Sequence, residues 1–222
     1  LVGSEMCIRD RIEQLGVNSI GIVLLISFFI GAVITIQIKL NIESPFMPRW
    51  TVGYVTREIM LLEFSSSIMC LILAGKVGSN IASELGTMRV TQQIDALEIM
   101  GVNSANLLIL PKIAAMVSFI PVLVVFSMAS GITGGFLIAQ FTDIISVSKY
   151  IYGLQSFFNE YYIWQAIFKA LFFAFVISSV ASYYGYKVKG GALEVGQAST
   201  DSVVVSSVIV LLLDVVLTQI LF

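Results

Sequence analysis

Long apolar stretches separated by short polar ones make up most of this chain. A helix needs roughly 20 mostly apolar residues to cross a bilayer, and five stretches reach that length. They cover about 17–40, 52–73, 107–140, 162–184 and 203–222. The pattern predicts an all-α integral membrane protein with five transmembrane helices.

The segments around these stretches predict how the helices connect. Residues 142–161 are expected to form a loop with some amphipathic character, and residues 187–202 a polar turn. The third apolar stretch is unusually long and contains Pro111 and Pro121. Its helix must therefore tilt, kink or extend beyond the bilayer.

A polar island over residues 75–101 separates the second and third stretches. Within it Val90, Ile94 and Leu97 recur at helical spacing and form one apolar stripe. Polar residues occupy the other positions. The spacing predicts a short amphipathic helix over 87–100, between spans two and three. A helix of this kind rests either on lipid headgroups or against another protein.

The composition of the 87–100 helix favours docking to a protein. Helices that rest on headgroups are usually rich in Lys and Arg, whereas this one has a single Arg, two Gln and two acidic residues. Gly86 marks a break before it, and Gly101 stands where a C-terminal cap belongs. The polar candidates for a docking contact, including one just upstream, are Glu84, Arg89, Gln92, Gln93, Asp95 and Glu98.

Composition supports the membrane assignment and excludes several classes of function. Of the 222 residues, 58% are hydrophobic and 12% charged, whereas soluble domains carry about 25% charged residues. There is no His, and Cys7 and Cys70 are too few for a disulfide framework or a zinc cluster. The basic residues are scattered, which excludes a nucleic-acid interface. Neither a metal site nor a membrane-embedded catalytic site is predicted.

The basic residues also bear on orientation, because cytoplasmic loops carry an excess of Lys and Arg. With a cytoplasmic N-terminus, the expected inner loops hold five basic residues and the outer loops four. The inner set is Lys76, Arg89, Lys112, Lys187 and Lys189, and the outer set is Lys39, Arg49, Arg57 and Lys149. This small excess favours a cytoplasmic polar island.

Three ionisable residues stand out inside the apolar stretches: Glu63, Lys169 and Asp214. Such residues cost about 2.5–3.5 kcal/mol on insertion scales and mark function by default. Lys169 and Asp214 lie eight residues from the outer ends of their spans, which is roughly 12 Å at 1.5 Å per residue. Glu63 lies about ten residues into span two.

The similar depths of these three charges predict one polar site in an outward-facing cavity. Lys169 and Asp214 are also equidistant from a point just past Gly191, as an antiparallel hairpin would require, so they are able to pair. Two interpretations stay open. The charges either lock helices together as a structural ion pair or line a lipid path and meet a headgroup, and both can hold.

Two long segments carry a family resemblance. AGKVGSNIASELGTMRVTQQIDALEIMGV, from residue 74, and YYGYKVKGGALEVGQASTDSVVVSSVIVLLLDVVLT, from residue 183, resemble signature regions of MlaE-type permeases. These are the membrane subunits of ABC transporters that move lipids between the bacterial inner and outer membranes. The resemblance covers about 14–222, and residues 12–222 are interpreted as one permease domain. Residues 1–11 do not fit the pattern and are expected to be non-native, or else a short amphipathic start.

The resemblance implies an assembly in the bacterial inner membrane. Two permease copies pair as a homodimer, and each contacts a cytoplasmic ATPase subunit through the helix between spans two and three. Periplasmic MCE-domain proteins cover the outer face. The chain has no match to G-x-x-x-x-G-K-[ST]. It is therefore expected to be a non-enzymatic subunit without a cofactor of its own, with ATP and Mg²⁺ held by the partner ATPase.

The resemblance also implies roles for two of the buried charges. The family uses an acidic position in span two and a basic position in span four near its lipid cavity, and these match Glu63 and Lys169. Relatives often carry Arg before that Glu and Gly-Pro after it, where this chain has Leu62 and Ser65-Ser66. The details of headgroup contact are left open by this departure.

The implied function is transport of phospholipids between the two membranes, which maintains the lipid asymmetry of the outer membrane. Export of sterols or hydrophobic toxicants by the same architecture is an alternative. An ion-coupled carrier or channel that uses the buried charges as a relay is another. The direction of transport is left open.

Overall fold

A computed structural model describes residues 12–42, 48–142 and 145–221, and these ranges contain helices and no β-strand. Five helices are long and apolar enough to cross a membrane. They are α1 (Asn18–Asn41), α2 (Thr51–Val90), α4 (Ser104–Phe141), α6 (Tyr161–Tyr186) and α7 (Ala192–Leu221). Two short helices, α3 (Gln93–Ile99) and α5 (Val147–Gln155), lie between them. The predicted all-α membrane protein is confirmed, whereas the segment expected to be non-native, 1–11, lies outside the described residues.

The second spanning helix is much longer than the predicted 52–73. It continues through Gly75 and Lys76 to Val90, with two π-helical stretches, Met60–Ile68 and Ala74–Gly78. Apolar residues beyond the predicted end keep a helical spacing and are fully buried. They are Ala74, Val77, Ile81, Ala82 and Leu85. Because tertiary packing covers this face, the polar residues beside it do not end the helix.

The amphipathic helix predicted over 87–100 is divided in two, so its predicted bounds are wrong. Residues 87–90 are the last turn of α2, and the chain breaks at Thr91 and Gln92, where Gln92 adopts a left-handed φ of 60°. Gly86 is no break. It is buried inside α2, where an added Cβ would lie 3.1 Å from a methyl group of Val195.

The C-terminal cap predicted at Gly101 is confirmed. Gly101 has a φ of 75°, which glycine adopts without steric cost. Its N–H donates to the Glu98 carbonyl at 3.0 Å, and the Val102 N–H donates to the Leu97 carbonyl at 3.1 Å. This pair of bonds is a Schellman motif, which satisfies carbonyls that the end of α3 leaves without helical partners.

The last helix, α7, begins at Ala192 rather than near residue 203, so most of the predicted polar turn is helical. Its start is stabilised locally, since the Gly191 N–H donates to the Glu194 carboxylate at 2.8 Å. Its first turns also pack on α2, where the Ser199 hydroxyl donates to the Ser79 carbonyl at 3.0 Å. Ser199 and Ser79 lie 120 residues apart in sequence, which is why the polar composition concealed their contact.

Two of the cations counted as loop charges are buried inside helices. Arg57 lies in α2 and is 2% exposed, and Lys112 lies in α4 and is 1% exposed. Neither contributes to a loop, so the predicted five-to-four excess does not describe the loops. The predicted loop over 142–161 likewise contains a helix, α5.

The chain divides into two compact units. Unit 1 comprises the described residues of Leu1–Ser19, Cys70–Pro121 and Lys169–Phe222, and unit 2 comprises those of Ile20–Met69 and Val122–Phe168. In unit 2, apolar side chains around Met60 and Tyr150 form the core. There α1 and α4 approach so closely that a Cβ added at Gly31 would collide with the Gly131 carbonyl oxygen. Unit 1 buries residues such as Ile94 and Phe173.

Candidate functional site

The buried charges of unit 1 form an ion pair between α6 and α7. The Lys169 ammonium donates to Asp214 Oδ1 at 3.0 Å and to Thr218 Oγ1 at 2.7 Å. The Thr218 hydroxyl donates in turn to the Asp214 carbonyl at 2.7 Å. Asp214 and Thr218 lie four residues apart, which places them on one face of α7. The pairing that the sequence made plausible is therefore present.

The Lys169–Asp214 pair is almost completely removed from the surface of the chain. The side chains are 3% and 15% exposed, respectively. Taking two charges out of water costs several kcal/mol per ion, which a pair repays only with good geometry and further hydrogen bonds. Here Thr218 supplies such a bond. An ammonium held by side-chain acceptors on one helix can exchange them for the oxygen of an anionic ligand without disturbing any backbone hydrogen bond.

Glu63 lies in unit 2, inside the π-helical stretch Met60–Ile68 of α2. Ser67 Oγ is 3.4 Å from its carboxylate, a long contact. Among the described residues the fully buried Ser65 hydroxyl has no hydrogen-bond partner. Wide π-turns inside α-helices occur frequently at functional sites. The structure brings Lys169 and Asp214 together, while a common site with Glu63 stays a prediction.

The six candidates for a docking contact lie at the junction of α2 and α3. Glu84 lies in α2 and forms an ion pair with the buried Lys112 at 2.8 Å. Arg89, in the last turn of α2, pairs with Asp95 of α3 at 2.7 Å across the break. Gln92 is the left-handed residue of that break, and Gln93 is exposed at the start of α3.

Glu98, another of those candidates, is held by hydrogen bonds from two side chains outside α3. Its carboxylate accepts hydrogen bonds from Tyr186 at 2.8 Å and from Ser104 at 3.1 Å. These bonds, led by the one from Tyr186, hold the pKa of the carboxyl below its usual range, and the nearby Arg89 charge acts in the same direction. Tyr186 and Ser104 were not among the predicted candidates, because both lie outside the segment predicted as the amphipathic helix, 87–100.

Exposed apolar residues follow directly after these polar ones. Ile99 is 87% exposed and Met100 68%, at the end of α3, whereas Ile94 on the same helix is completely buried. In the predicted apolar stripe of Val90, Ile94 and Leu97, Ile94 is buried and the other two side chains are partly buried. Segment Thr91–Val102, which we call the coupling segment, therefore exposes two apolar side chains. They lie next in sequence to Glu98, which together with Tyr186 and Ser104 forms what we call the Glu98 cluster.

A buried Arg57 in unit 2 is a site that the sequence pattern did not reveal. Its guanidinium donates at 2.6 Å to the carbonyl of Leu154, in the last turn of α5, and at 2.9 Å to that of Ser156, just after α5. It also donates to Phe157 O at 3.3 Å and forms an ion pair with Glu58 at 2.6 Å. The Pro-containing segment before α2 made Arg57 look like a residue near a loop, so no local signal marked it as buried.

Comparison with known proteins gives a consistent family assignment. The family model described as Permease MlaE matches residues 8–220. The chain is 34% identical to the intermembrane phospholipid transport system permease protein MlaE of Haemophilus influenzae, over 96% of this chain and 81% of that protein. It is 32% identical to a probable ABC transporter permease protein of Rickettsia bellii, over 94% and 80%. It is 30% identical to the chloroplastic protein TRIGALACTOSYLDIACYLGLYCEROL 1 of Arabidopsis thaliana, over 96% and 61%.

Proposed function

The chain belongs to the MlaE permease family of ABC transporters, and from that membership we propose that it moves phospholipids between the inner and outer membranes of a bacterium. The observation that carries this proposal is the 34% identity, over 96% of the chain, to a permease named for intermembrane phospholipid transport. The proposed role of this transport is to maintain the lipid asymmetry of the outer membrane.

The lipid path is proposed to run past the buried charges. Acyl chains would contact apolar helix faces, and the headgroup phosphate would be met by the Lys169 ammonium. The support is that Lys169 donates to two side chains, Asp214 and Thr218, in the contacts described above. Glu63 is proposed to contribute from its π-helical stretch, whose wide turns and unpartnered Ser65 hydroxyl suit a place where a ligand passes.

Energy is proposed to come from a cytoplasmic ATPase that binds the coupling segment. The exposed Ile99 and Met100 beside the polar Glu98 cluster give this segment the apolar centre and polar rim of a protein interface. ATP and Mg²⁺ would be bound by that partner, and this chain would act as a permease subunit without an ATPase site. Closure of the ATPase would move α3 and, through it, the spanning helices.

Two further partners complete the proposed assembly. A second copy of the permease is expected to cover α7, because only 17% of its most apolar window is buried within the chain, compared with 39–50% for the other spanning helices. An MCE-domain protein is expected on the periplasmic face. The assembly would lie in the inner membrane.

Purification of the tagged chain from solubilised inner membrane, followed by lipid analysis, tests this function. We expect an ATPase and an MCE-domain protein to co-purify, with phospholipid bound to the complex. Lys169→Ala and Glu63→Ala should lower the bound phospholipid while both partners are retained. Ser118→Ala, at an exposed hydroxyl that donates to the Ala114 carbonyl of its own helix at 2.8 Å, is a matched control.

The outcomes separate the parts of the proposal. A permease that purifies without an ATPase contradicts the transporter. Bound sterol in place of phospholipid identifies the sterol-export alternative. A complex whose phospholipid content is unchanged by both substitutions leaves the transporter in place and assigns the charges to structure alone.

A further inference from the structure

Tyr186, the last residue of α6, contacts three other helices of unit 1. Its hydroxyl lies 2.8 Å from Glu98 Oε1 on α3 and 2.9 Å from the hydroxyl of Ser104, the first residue of α4. Its ring faces the Arg89 guanidinium in the last turn of α2, with 5.7 Å from the guanidinium carbon to the ring centroid. A single side chain therefore joins four helices.

The number of hydroxyl hydrogens in this cluster determines which groups donate and which accept. A Tyr and a Ser hydroxyl each carry one hydrogen, and an ionised carboxylate carries none. The Tyr186 hydroxyl donates to Glu98, and the Ser104 hydroxyl, 3.1 Å from the same oxygen, shares its hydrogen between Glu98 and Tyr186. Removing the Tyr186 hydroxyl deprives Glu98 of the closer of these two donors.

α3 depends on such side-chain contacts for its position. The left-handed Gln92 precedes it, and the positive-φ Gly101 follows it. Seven residues are too few for a helix that is stable on its own. The contacts described above that hold α3 are the buried Ile94, the Arg89–Asp95 ion pair and the Glu98 cluster. The Glu98 cluster reaches α6 through the hydrogen bond from Tyr186, and the Arg89 of the ion pair faces the ring of the same residue.

α6 also carries Lys169. Tyr186 lies seventeen positions after Lys169, which is about 26 Å at 1.5 Å per residue along one uninterrupted helix. A helix of this length transmits a displacement of its end much better than a loop does. The Tyr186–Glu98 hydrogen bond is therefore a mechanical connection between the coupling segment and the helix that holds the buried ammonium.

We propose that Tyr186 is a positioning residue of the coupling segment, which ties α3 to α6 so that a displacement of α3 reaches Lys169. This proposal rests on the proposed function, in which an ATPase moves α3. Tyr186 contacts neither lipid nor nucleotide in this scheme. It sets how much lipid movement each hydrolysis event produces.

Tyr186→Phe tests the proposal because it keeps the ring beside Arg89 and removes only the hydroxyl. In the purified complex reconstituted in phospholipid vesicles, we expect the amount of lipid moved per ATP hydrolysed to fall about three- to tenfold. The amount of co-purified ATPase should stay unchanged. Tyr183→Phe is the matched control, since Tyr183 lies on the same helix and its hydroxyl accepts a hydrogen bond at 2.7 Å from Lys187, the residue just after that helix.

A second pair of variants identifies the partner of the hydroxyl. Glu98→Gln should lower the same ratio, and the double variant with Tyr186→Phe should lower it by less than the product of the two single effects, because both remove one interaction. Effects that multiply independently, or a Tyr186→Phe complex that loses its ATPase, overturn the positioning role.

A distance measurement separates this proposal from the proposed function. Spin labels at Ala96 on α3 and Leu193 on α7, both exposed, are introduced in a background without the native cysteines. We expect the distance distribution to broaden with Tyr186→Phe and not with Tyr183→Phe. If the wild-type complex moves no lipid, the proposed function fails. The distance distribution then tests by itself whether Tyr186 positions α3. An unchanged distribution overturns the proposal.

Discussion

Arg57 of unit 2 and Lys169 of unit 1 are both cations buried within a spanning helix, but their charges are satisfied in different ways. In unit 2, Arg57 donates mostly to backbone carbonyls at and just after the end of α5. Its guanidinium carbon lies 5.1 Å from the Tyr54 ring centroid and 5.5 Å from that of Phe158. In unit 1, Lys169 donates to two side chains of α7. Both cations are about equally buried, so exposure does not distinguish them.

The difference lies in which partners can be exchanged. Backbone carbonyls at the end of a helix lack helical donors and cannot move away from the chain, so Arg57 fixes the segment after α5 in place. A carboxylate and a hydroxyl on one helix can release an ammonium by rotation of their side chains. The comparison assigns a structural role to the first cation and makes the second a candidate for ligand contact.

Replacing Arg57 gives the largest expected effect and tests whether this cation has a structural role. Arg57→Met should lower the free energy of unfolding by about 3–5 kcal/mol, because it leaves Glu58 and several carbonyls buried without their donor. Unfolding of the purified protein in mixed micelles measures this. Arg57→Lys should recover part of the loss, since Lys keeps the charge and lacks the planar fork. A wild-type unfolding curve for Arg57→Met would contradict the structural role.

Close helix packing offers a second way to test the rigidity of unit 2. Gly31→Ala should destabilise the protein by about 1–3 kcal/mol, because the new methyl group collides with the Gly131 carbonyl. Gly21→Ala on the same helix is the control, as an added Cβ there meets no described atom within 4 Å. We expect it to be neutral or stabilising by up to about 1 kcal/mol. Equal unfolding midpoints for the two variants would rule out the tight contact.

Removing both members of the Lys169–Asp214 pair tests whether this pair is needed for transport rather than for stability. The double variant Lys169→Met/Asp214→Leu should unfold within about 1 kcal/mol of the wild type, because well-packed apolar residues replace a buried pair at little cost. Phospholipid transport in vesicles should fall at least about tenfold, since a hydrogen bond to a charged phosphate is lost. Full transport activity in this stable variant would show that both buried cations are structural.

The smallest expected effect concerns the pH dependence of the coupling segment. The pKa of Glu98 is depressed below its ordinary 4.5, first by the Tyr186 hydrogen bond, then by Ser104, with Arg89 acting in the same direction. A depressed pKa means that the contribution of this contact is present above the ordinary value and is lost as the pH falls through the lowered one.

We therefore expect the distance distribution between labels at Ala96 and Leu193 to stay constant from neutral pH to about pH 5 and to broaden only below 4.5. Glu98→Gln should remove this response to pH. Broadening that begins near pH 6 would mean that a different group controls the position of α3.

Much of the fold follows from local pattern. Spanning helices are set by runs of apolar residues, because each must satisfy its backbone hydrogen bonds internally. The cap at Gly101 follows from the low steric cost of a positive φ at glycine. A Lys169–Asp214 pair was foreseeable because two opposite charges at similar depth in neighbouring helices have few other partners in lipid.

The extent of α2 and α7 could not be read from the same pattern. Polar residues near 75–90 and 192–202 resemble turns in isolation. In the structure, Ile81 and Leu85 of α2 are buried, and Ser199 of α7 bonds to Ser79. Burial on one face outweighs the local preference of the exposed residues, and the segments that supply this burial lie more than a hundred residues apart.

The sequence by itself determined the fold class, the number of spanning helices and the family, because these depend on hydrophobic runs and on long, specific segments. Tertiary structure decided the partners of Arg57, Lys112 and Tyr186, since a side chain's polar contacts depend on which helices meet. It also decided where the coupling segment breaks, at Gln92. The physical reason is that apolar burial repeats along the chain and is visible in it, whereas polar contacts are made between residues distant in sequence.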